Sequence, residues 1–174
     1  IMYDLIIIGG GPAGVSAGVY AARKKLGTLF IALEFGGQSI VSDGIENWIG
    51  TVKIPGAELA KNLKDHLLAY ADKSVLVKEG EKVLDIQEST NGFTVGTDKE
   101  KYETKTILIT TGSHRRKLEI PGAKEFDNKG LTYCASCDGP LFTDQDVAVV
   151  GGGNAALETA AQLLAYCKSV TIIN

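Results

Sequence analysis

Two cysteines stand three positions apart in Cys134-Ala135-Ser136-Cys137, and the acidic residue Asp138 follows them directly. Thiols at this spacing can close a small disulfide ring, and the reduced pair can exchange with an external disulfide once one thiol ionises. Asp138 could carry the proton that such an exchange moves. The spacing predicts a redox-active pair, with Cys134 and Cys137 as reacting groups and Asp138 as their acid or base.

Zinc binding and inert burial are the competing interpretations of this pair. A structural zinc takes about four ligands, and outside the pair only Cys167, His66 and His114 could supply sulfur or imidazole. The chain has no second Cys-x-x-Cys. The sequence therefore favours redox chemistry and predicts no metal site, and we expect Cys167 and His66 to be core residues.

A glycine-rich segment near the start of the chain has the spacing of a dinucleotide fingerprint. The motif Gly9-x-Gly11-Pro12-Ala13-Gly14 follows an apolar run and opens a stretch of helix-forming composition. This arrangement turns free backbone N–H groups and the positive helix end toward a pyrophosphate. Glu34, twenty residues beyond Gly14, could accept a hydrogen bond from a ribose hydroxyl. Dinucleotide binding is favoured over a glycine turn without a ligand.

A second fingerprint, Gly151-x-Gly153-Asn154-x-Ala156, occurs in the same strand-turn-helix context. Alanine is permitted at its last position. A helix start without a ligand is a stronger alternative here, because no acidic residue stands where a ribose would be selected. The motif predicts a nicotinamide nucleotide, but it does not distinguish NADPH from NADH.

Hydrophobic patterning predicts the elements that position these motifs. Tyr3 to Ile8 and Thr28 to Leu33 read as buried strands, with the Ala-rich helix Val15 to Lys25 between them. Leu59, Leu63, Leu67 and Tyr70 recur at helical spacing and predict an amphipathic helix over Ala57 to Lys73. Further strands are expected at the following positions: Val75–Val77, Lys82–Gln87, Phe93–Val95 and Tyr102–Thr110, the last with a buried Ile107–Ile109.

The order of these elements defines the expected fold class. Asn91-Gly92 predicts a hairpin and hence antiparallel strands inserted into an α/β fold. After Pro121-Gly122, a second βαβ segment begins, with strands at Val147–Val150 and Ser169–Ile173 around a helix at Ala155–Tyr166. The result is a three-layer α/β domain with an antiparallel insertion, followed by the start of a second Rossmann-like domain.

The overall composition limits the possible partners. The 174 residues are 44% hydrophobic and carry a formal net charge of -3, with both signs interspersed. No basic stripe is present that would neutralise a nucleic acid backbone. The apolar stretches are too short to span a bilayer, and no secretory leader is recognisable at the N-terminus. We therefore expect a cytoplasmic protein without nucleic-acid or membrane partners.

Taken together, the motifs resemble the low-molecular-weight thioredoxin reductases and, equally, the reductase portion of the alkyl hydroperoxide reductase flavoprotein. The resemblance runs along the whole chain. The combination of a Cys-x-x-Cys-Asp-Gly motif with a glycine fingerprint just after it is the most specific part. The landmarks are Gly9–Gly14, Glu34-Phe35-Gly36-Gly37-Gln38, Ile45-Glu46-Asn47-Trp48, Thr110-Thr111-Gly112, Cys134–Pro140 and Gly151–Asn154.

The resemblance implies two cofactors, FAD and NADPH or NADH, and a site for each. The FAD contacts that it implies are Gly9, Gly11, Gly14, Glu34, Gly36, Gly37, Gln38, Asn47, Val83, Thr111 and Gly112, with Pro12 and Ala13 inside the fingerprint. Gly151, Gly153, Asn154 and Ala156 would face the nicotinamide nucleotide. Residues 1–113 would form the FAD-binding domain, and residues 114–174 the first part of the NAD(P)H-binding domain.

The implied activity is disulfide reduction. Electrons would pass from the nicotinamide through FAD to a Cys134–Cys137 disulfide, with Asp138 as acid or base, and then to a thioredoxin-like protein. The smaller domain would rotate to present first the nicotinamide and then the disulfide to the flavin. A homodimer is also implied.

Departures from the family pattern, and segments that favour one branch of it, bear on these expectations. The family's closing segment, which returns to the FAD domain, is expected to be missing, so that a non-catalytic flavin-binding or inactive fragment is one alternative. Ile49 stands where the family commonly has proline. Two segments lean toward the hydroperoxide reductase branch, Pro140-Leu141-Phe142 and Glu34-Phe35-Gly36-Gly37-Gln38, although that branch usually carries an additional N-terminal disulfide module. A further possibility is an electron donor that is not a nicotinamide.

Overall fold

The computed structural model describes residues 1–71, 74–113 and 116–174, and the chain divides into two units, Ile1–His114 and Arg115–Asn174. We call them unit 1 and unit 2. The predicted end of the second helix at Lys73 and the candidate zinc ligand His114 lie outside the described residues.

Unit 1 is built around one six-stranded sheet. In chain order its elements are β1 (Met2–Gly10), α1 (Pro12–Arg23), β2 (Thr28–Phe35), a 3-10 helix (Gly37–Val41), α2 (Gly56–Tyr70), β3 (Val75–Glu79), β4 (Val83–Ser89), β5 (Gly92–Thr97) and β6 (Lys101–Ile109). The strand order is β3-β2-β1-β6-β5-β4. The first four strands in that order are parallel, and β5 and β4 continue the sheet antiparallel to β6.

The alternation of side chains along β1 divides the core between two faces of the sheet. Ile7 points to the helical side, where it is buried with Val15 of α1, Phe30 of β2 and Leu67 of α2. Ile6 and Ile8 point to the other side and form a second buried cluster with Val95 and Tyr102, which belong to the antiparallel strands β5 and β6. The predicted three-layer α/β fold with an antiparallel insertion is confirmed.

Several local expectations are corrected by the structure. Tyr70 is 42% exposed because α2 ends there, and its ring contacts His66 and Arg23 instead of the core. His66 is itself exposed, so its assignment to the core was wrong. Ile109, predicted to be buried, is 62% exposed because it lies at the end of β6 and belongs to neither buried cluster of unit 1.

The β4–β5 hairpin is displaced by one residue from the predicted turn. Ser89 pairs with Gly92, so Thr90 and Asn91 form the two-residue loop and Gly92 begins β5. Gly92 has a φ of 143°, and a Cβ there would collide with the Thr104 carbonyl oxygen of β6. Glycine is required at this position because the neighbouring strand approaches it closely.

Unit 2 contains the second βαβ segment. A short helix α3 (Ala135–Asp138) and a 3-10 helix (Gly139–Phe142) precede β7 (Asp146–Val150), α4 (Asn154–Leu163) and β8 (Ser169–Ile173). Strands β7 and β8 are parallel. A small cluster of Ala135, Val149, Ala160 and Leu163 is buried, and Cys167 packs against it from the turn after α4. Val149 is the only buried residue of β7.

No helix in the described ranges has both the length and the apolar character needed to cross a membrane.

Candidate functional site

The turn between β1 and α1 is held by close contacts between glycines. Gly9 has a φ of 120°, which favours glycine. A Cβ added to Gly14 would collide with the Gly9 carbonyl oxygen, so helix and strand could not approach each other as they do. Packing within the protein itself therefore requires glycine at position 14.

Packing within the protein does not require glycine at position 11. It caps α1 with a φ of -76°, a value open to any residue. The nearest described atom to a Cβ built on Gly11 is the Gly37 Cα, at 4.0 Å. Pro12 and Ala13 follow as the first two residues of α1, and Ala13 is exposed. The backbone at Gly11 is bare and accessible, as the approach of a pyrophosphate requires.

The glycine turn is completed from the end of β2. Gly10 pairs with Phe35, and the Gly36 N–H donates to the Gly10 carbonyl oxygen at 2.9 Å. Glu34 is exposed immediately before this contact. A Cβ on Gly37 would lie 3.3 Å from the Gly11 Cα. The structure thus brings together the fingerprint and the segment Glu34–Gln38.

Thr110, directly after β6, supports the same turn, and sequence reasoning did not assign it this role. Its N–H and its hydroxyl both donate to the Ile8 carbonyl oxygen at 2.8 Å, and the hydroxyl lies 3.3 Å from the Gly9 carbonyl oxygen. The landmark Thr110-Thr111-Gly112 was the only signal for it. Thr111 and Gly112 therefore follow a residue fixed to the fingerprint, at the shared carboxyl edge of β1, β2 and β6.

Asn47 and Val83 lie in other segments of unit 1. Asn47 is exposed in the loop closed by the bridge between Ile45 and Ile54. Val83 is the first residue of β4 and packs against the second buried cluster. Two residues earlier in the chain, the Glu81 N–H donates to the Ala32 carbonyl oxygen of β2. In the described ranges, neither residue is hydrogen-bonded to the glycine turn.

A buried carboxylate beside Val83 also escaped the sequence analysis. Glu81 is only 3% exposed, and its Oε1 accepts hydrogen bonds from the Tyr102 hydroxyl at 2.8 Å and the Thr97 hydroxyl at 2.7 Å. Burial, followed by the hydrogen bond to Glu81, raises the pKa of Tyr102 above the ordinary tyrosine value. These side chains tie the start of β4 to β5 and β6.

In unit 2, Cys134 and Cys137 form a disulfide with a Cα–Cα distance of 5.3 Å. Cys134 caps α3 and is half-buried, whereas Cys137 is exposed. The N–H groups of Cys137 and Asp138 donate to the Cys134 carbonyl oxygen at 3.2 and 2.9 Å. The disulfide therefore closes a single helical turn with one sulfur-bearing residue facing solvent.

Asp138 is fixed to the disulfide turn by Thr132, another residue that the sequence analysis did not single out. The Thr132 hydroxyl donates to Asp138 Oδ2, and it accepts the Cys134 N–H at 3.4 Å. The predicted acid or base thus lies on the same turn as the two cysteines. Its orientation is set by a side chain six residues earlier.

Helix α3 is joined to the helix that carries the second fingerprint. Ser136 Oγ donates to Gln162 Oε1 of α4 at 3.0 Å. Ala135 is buried against α4, and a Cβ on Gly139 would lie 3.4 Å from the Tyr166 ring. The disulfide turn and the second glycine turn therefore belong to one packed unit.

The second glycine turn repeats the features of the first. Gly151 has a φ of 128°, and its N–H donates to the Ile173 carbonyl oxygen at 2.8 Å. Gly153 caps α4 with a φ of -88°, and no described atom lies within 4 Å of a Cβ built on it. Asn154 is the exposed first residue of α4. The Cβ of Ala156 would lie 3.3 Å from a Cβ on Gly151.

No three His, Cys, Asp or Glu side chains in the described parts of the chain are grouped so that they could hold a metal ion.

Comparison with known proteins agrees with this geometry. The family model described as pyridine nucleotide-disulphide oxidoreductase matches residues 3–174. Staphylococcus epidermidis has an alkyl hydroperoxide reductase subunit, 41% identical over 171 residues, which are 98% of this chain and 33% of that protein. A protein of Bacillus subtilis named NADH dehydrogenase is 39% identical over 176 residues, with the same two coverages of 98% and 33%.

The chain is also similar to solved structures of thioredoxin reductases. Thioredoxin reductase from Streptococcus pyogenes is 39% identical with a TM-score of 0.87, and the match covers 99% of this chain and 56% of that one. Thioredoxin reductase from Giardia duodenalis is 30% identical with a TM-score of 0.89, covering 98% and 55%. The chain thus spans about a third of the curated relatives that it matches and little more than half of these structures.

The cofactors of this family are FAD and NAD(P)H, as the sequence predicted, and the two bare backbone positions at Gly11 and Gly153 fit dinucleotides. The resemblance to thioredoxin reductases and to the hydroperoxide reductase flavoprotein is confirmed. The fold, the disulfide and the family match over residues 3–174 together show that this chain belongs to the pyridine nucleotide-disulphide oxidoreductases.

Proposed function

We propose that the complete protein reduces protein disulfides, passing electrons from NADPH or NADH through FAD to the Cys134–Cys137 disulfide and on to a thioredoxin-like protein. One observation carries the proposal: a disulfide that closes a single turn, with Cys137 exposed and Asp138 attached to the same turn. A disulfide that only stabilises the fold would have no need of exposure or of a neighbouring carboxylate.

We assign FAD to a domain of residues 1–113, which lies within unit 1. The glycine turn would hold the pyrophosphate, since Gly11 leaves its backbone open and α1 directs its positive end there. Glu34 would accept from a ribose hydroxyl. The remaining proposed contacts, carried over from the family resemblance, are Gly9, Pro12, Ala13, Gly14, Gly36, Gly37, Gln38, Asn47, Val83, Thr111 and Gly112.

We assign the nicotinamide nucleotide to a domain of residues 114–174, which contains unit 2. Gly153 at the start of α4 is as open as Gly11, and this supports the same kind of phosphate contact. Gly151, Asn154 and Ala156 complete the proposed contacts. When bound, the two cofactors supply the hydride and the two-electron storage that the protein's own side chains lack.

The disulfide exchange itself needs only the groups of unit 2. In the reduced protein, one thiolate of the pair attacks a sulfur of the partner's disulfide, breaks that S–S bond and leaves a mixed disulfide and a partner thiolate. Asp138 takes the proton of the second thiol, whose sulfur then attacks the first, breaks the mixed disulfide, releases the partner's second thiolate and re-forms Cys134–Cys137. The partner leaves with two electrons and, through Asp138 and solvent, two protons.

Substitution of one cysteine tests this function. Cys137→Ser should leave FAD binding unchanged in the complete enzyme, because Cys137 lies in the other unit, yet it should abolish reduction of oxidised thioredoxin. The measurements are the flavin absorbance spectrum and NADPH consumption with thioredoxin. Cys167→Ser is the matched control and should retain full activity. Unchanged thioredoxin reduction by Cys137→Ser would refute the role of the pair.

A second candidate is a hydroperoxide reductase flavoprotein, and the similarity to the alkyl hydroperoxide reductase protein of Staphylococcus epidermidis supports it. The two functions share every step inside unit 2 and differ in the acceptor. Replacing thioredoxin by a peroxide-reducing partner protein in the same assay distinguishes them, since the preferred acceptor should be reduced many times faster.

A third candidate is a flavin-binding chain without turnover. Purified protein that is yellow but whose flavin absorbance does not bleach with NADPH or NADH would support it. For the complete enzyme we propose a cytoplasmic homodimer, which sedimentation can test.

A further inference from the structure

Thr132 connects the two functional parts of the disulfide turn. Its hydroxyl proton is donated to Asp138 Oδ2, and a lone pair of the same oxygen accepts the Cys134 N–H. The direction of both bonds is determined, because a backbone N–H can only donate and an ionised carboxylate can only accept. Thr132 is half-buried, so this hydroxyl is partly shielded from competing water.

The effect on Asp138 follows from these bonds. One carboxylate oxygen is occupied by Thr132, and within the described ranges no donor is recorded to the other oxygen, Oδ1. The Asp138 N–H is itself held by the Cys134 carbonyl oxygen at 2.9 Å. Asp138 is therefore fixed at two points, its backbone to Cys134 and its carboxylate to Thr132, and Oδ1 is open to a proton.

We propose that Thr132 is a positioning residue for proton transfer at the Cys134–Cys137 pair. It orients Asp138 toward the redox turn and stabilises the ionised carboxylate by a charge-assisted hydrogen bond. In the exchange, Oδ1 of Asp138 takes the proton from the second thiol, whose sulfur attacks the mixed disulfide; that S–S bond breaks as Cys134–Cys137 forms, and the partner leaves as a thiolate. This inference rests on the proposed redox function and adds a residue to it.

The experiment uses the chain after chemical reduction with dithiothreitol, so neither cofactor is required. Its dithiol is reoxidised by a small aromatic disulfide, and the rate is followed by the absorbance of the released thiol from acidic to alkaline pH. The variants are Thr132→Val, which keeps the shape but lacks the hydroxyl, and Thr132→Ser, which restores it.

Without the hydroxyl, the Asp138 side chain loses its fixed orientation at the disulfide turn and takes the thiol proton less efficiently. The rate of Thr132→Val should therefore be lower by about tenfold at acidic pH, where a base must remove the thiol proton, and should approach that of the unmodified chain at alkaline pH, where thiols ionise without one. Thr132→Ser should follow the unmodified profile. A purely structural role would lower the rates at every pH alike and leave the profile in place, which would overturn the proposal.

A second pair of variants keeps the test decisive if Thr132→Val folds poorly. Thr132→Ala should show the same altered profile, whereas in the Asp138→Asn background it should leave the pH profile unchanged, because the base is gone. Any change that persists there would show that Thr132 acts by another route. If the unmodified chain's dithiol did not exchange at all, the proposed redox function would fail together with this inference. Normal exchange with no Thr132 effect would overturn this inference alone.

Discussion

At the scale of single residues, glycines in one motif have different reasons to be glycine. Gly14 is required by the protein, since a Cβ there would strike the Gly9 carbonyl oxygen and lie 2.7 Å from the Thr110 hydroxyl. Gly11 is not, because its φ is ordinary and no described atom is closer than 4.0 Å to its Cβ position. One residue is needed for the fold, and the other is left open for a ligand.

Alanine substitutions should separate these reasons. Gly14→Ala should destabilise the chain by about 1–3 kcal/mol, the usual cost of overpacking. Gly11→Ala should change the unfolding free energy of the FAD-free chain by less than about 1 kcal/mol, yet weaken FAD binding by about tenfold or more, since the Cβ meets the pyrophosphate. Urea unfolding and a fluorescence titration with FAD measure the two effects.

The result that would contradict this prediction is a Gly11→Ala chain that binds FAD as tightly as the original. The pyrophosphate would then lie elsewhere.

Tyr102 gives unit 1 a specific sensitivity to alkali. The pKa of its phenol is raised by burial and by Glu81, so the folded chain keeps this proton at a pH where the unfolded chain loses it. The stabilisation is complete below the ordinary tyrosine value of about 10 and is lost as pH rises above it, at up to about 1.4 kcal/mol per pH unit.

Tyr102→Phe should therefore flatten the fall in unfolding free energy at high pH, while it lowers stability at neutral pH because Glu81 loses a donor. Urea unfolding followed by the fluorescence of Trp48, the chain's only tryptophan, measures both effects. Tyr20→Phe is the control, since Tyr20 is 67% exposed. An unchanged slope in Tyr102→Phe would mean that another group causes the alkaline loss.

At the scale of elements, the loop after the 3-10 helix of unit 1 contains a tight turn at Trp48–Thr51. The Thr51 N–H donates to the Trp48 carbonyl oxygen at 3.1 Å, and Gly50 has a φ of 98°. These are the features of a type II turn, in which proline is favoured at the second position. Ile49 occupies that position and is 96% exposed. The departure from the family pattern at Ile49 thus affects turn rigidity, without a contact to the core.

Restoring proline should stabilise the chain. Ile49→Pro reduces the freedom of the unfolded chain at a position already compatible with it, and should add about 0.4–1 kcal/mol to the unfolding free energy. Gly50→Ala, the neighbouring control, should destabilise because its φ is positive. Thermal unfolding of the two variants measures both effects. A loss of stability in Ile49→Pro would show that the turn has a different conformation.

At the scale of the whole molecule, the two units have unequal cores. Unit 1 has a six-stranded sheet with buried clusters on both faces, whereas the β7–β8 pair of unit 2 is supported by one small cluster. Local stability follows buried apolar contact. Unit 2 should therefore open more readily than unit 1.

Hydrogen exchange followed by mass spectrometry should show slower exchange in β1 than in β7. Saturating FAD should slow exchange in unit 1, and saturating NADPH or NADH in unit 2; a ligand at a hundred times its Kd stabilises the unit that binds it by about 2.7 kcal/mol. Gly153→Ala should remove only the second effect. Protection of unit 2 by FAD alone would contradict the assignment of the cofactors to the units.

The sequence by itself determined the order of the strands and helices, the two glycine turns and the redox pair. These features are local: hydrophobic period, glycine spacing and the separation of Cys134 from Cys137 all lie within a few residues. The helix of Leu59, Leu63 and Leu67 and the β4–β5 hairpin were also predicted, with small shifts at their ends.

The tertiary structure decided which side chains support the sites. Thr110 contacts Gly9 across 101 positions, and Glu81 meets Tyr102 across 21, so no local pattern could connect them. The same holds for burial: His66 and Tyr70 belong to an amphipathic helix by sequence, but their exposure depends on how they face the sheet. Which side chains contact each other, and how deeply each is buried, depends on packing between distant segments, and that packing exists only in the folded chain.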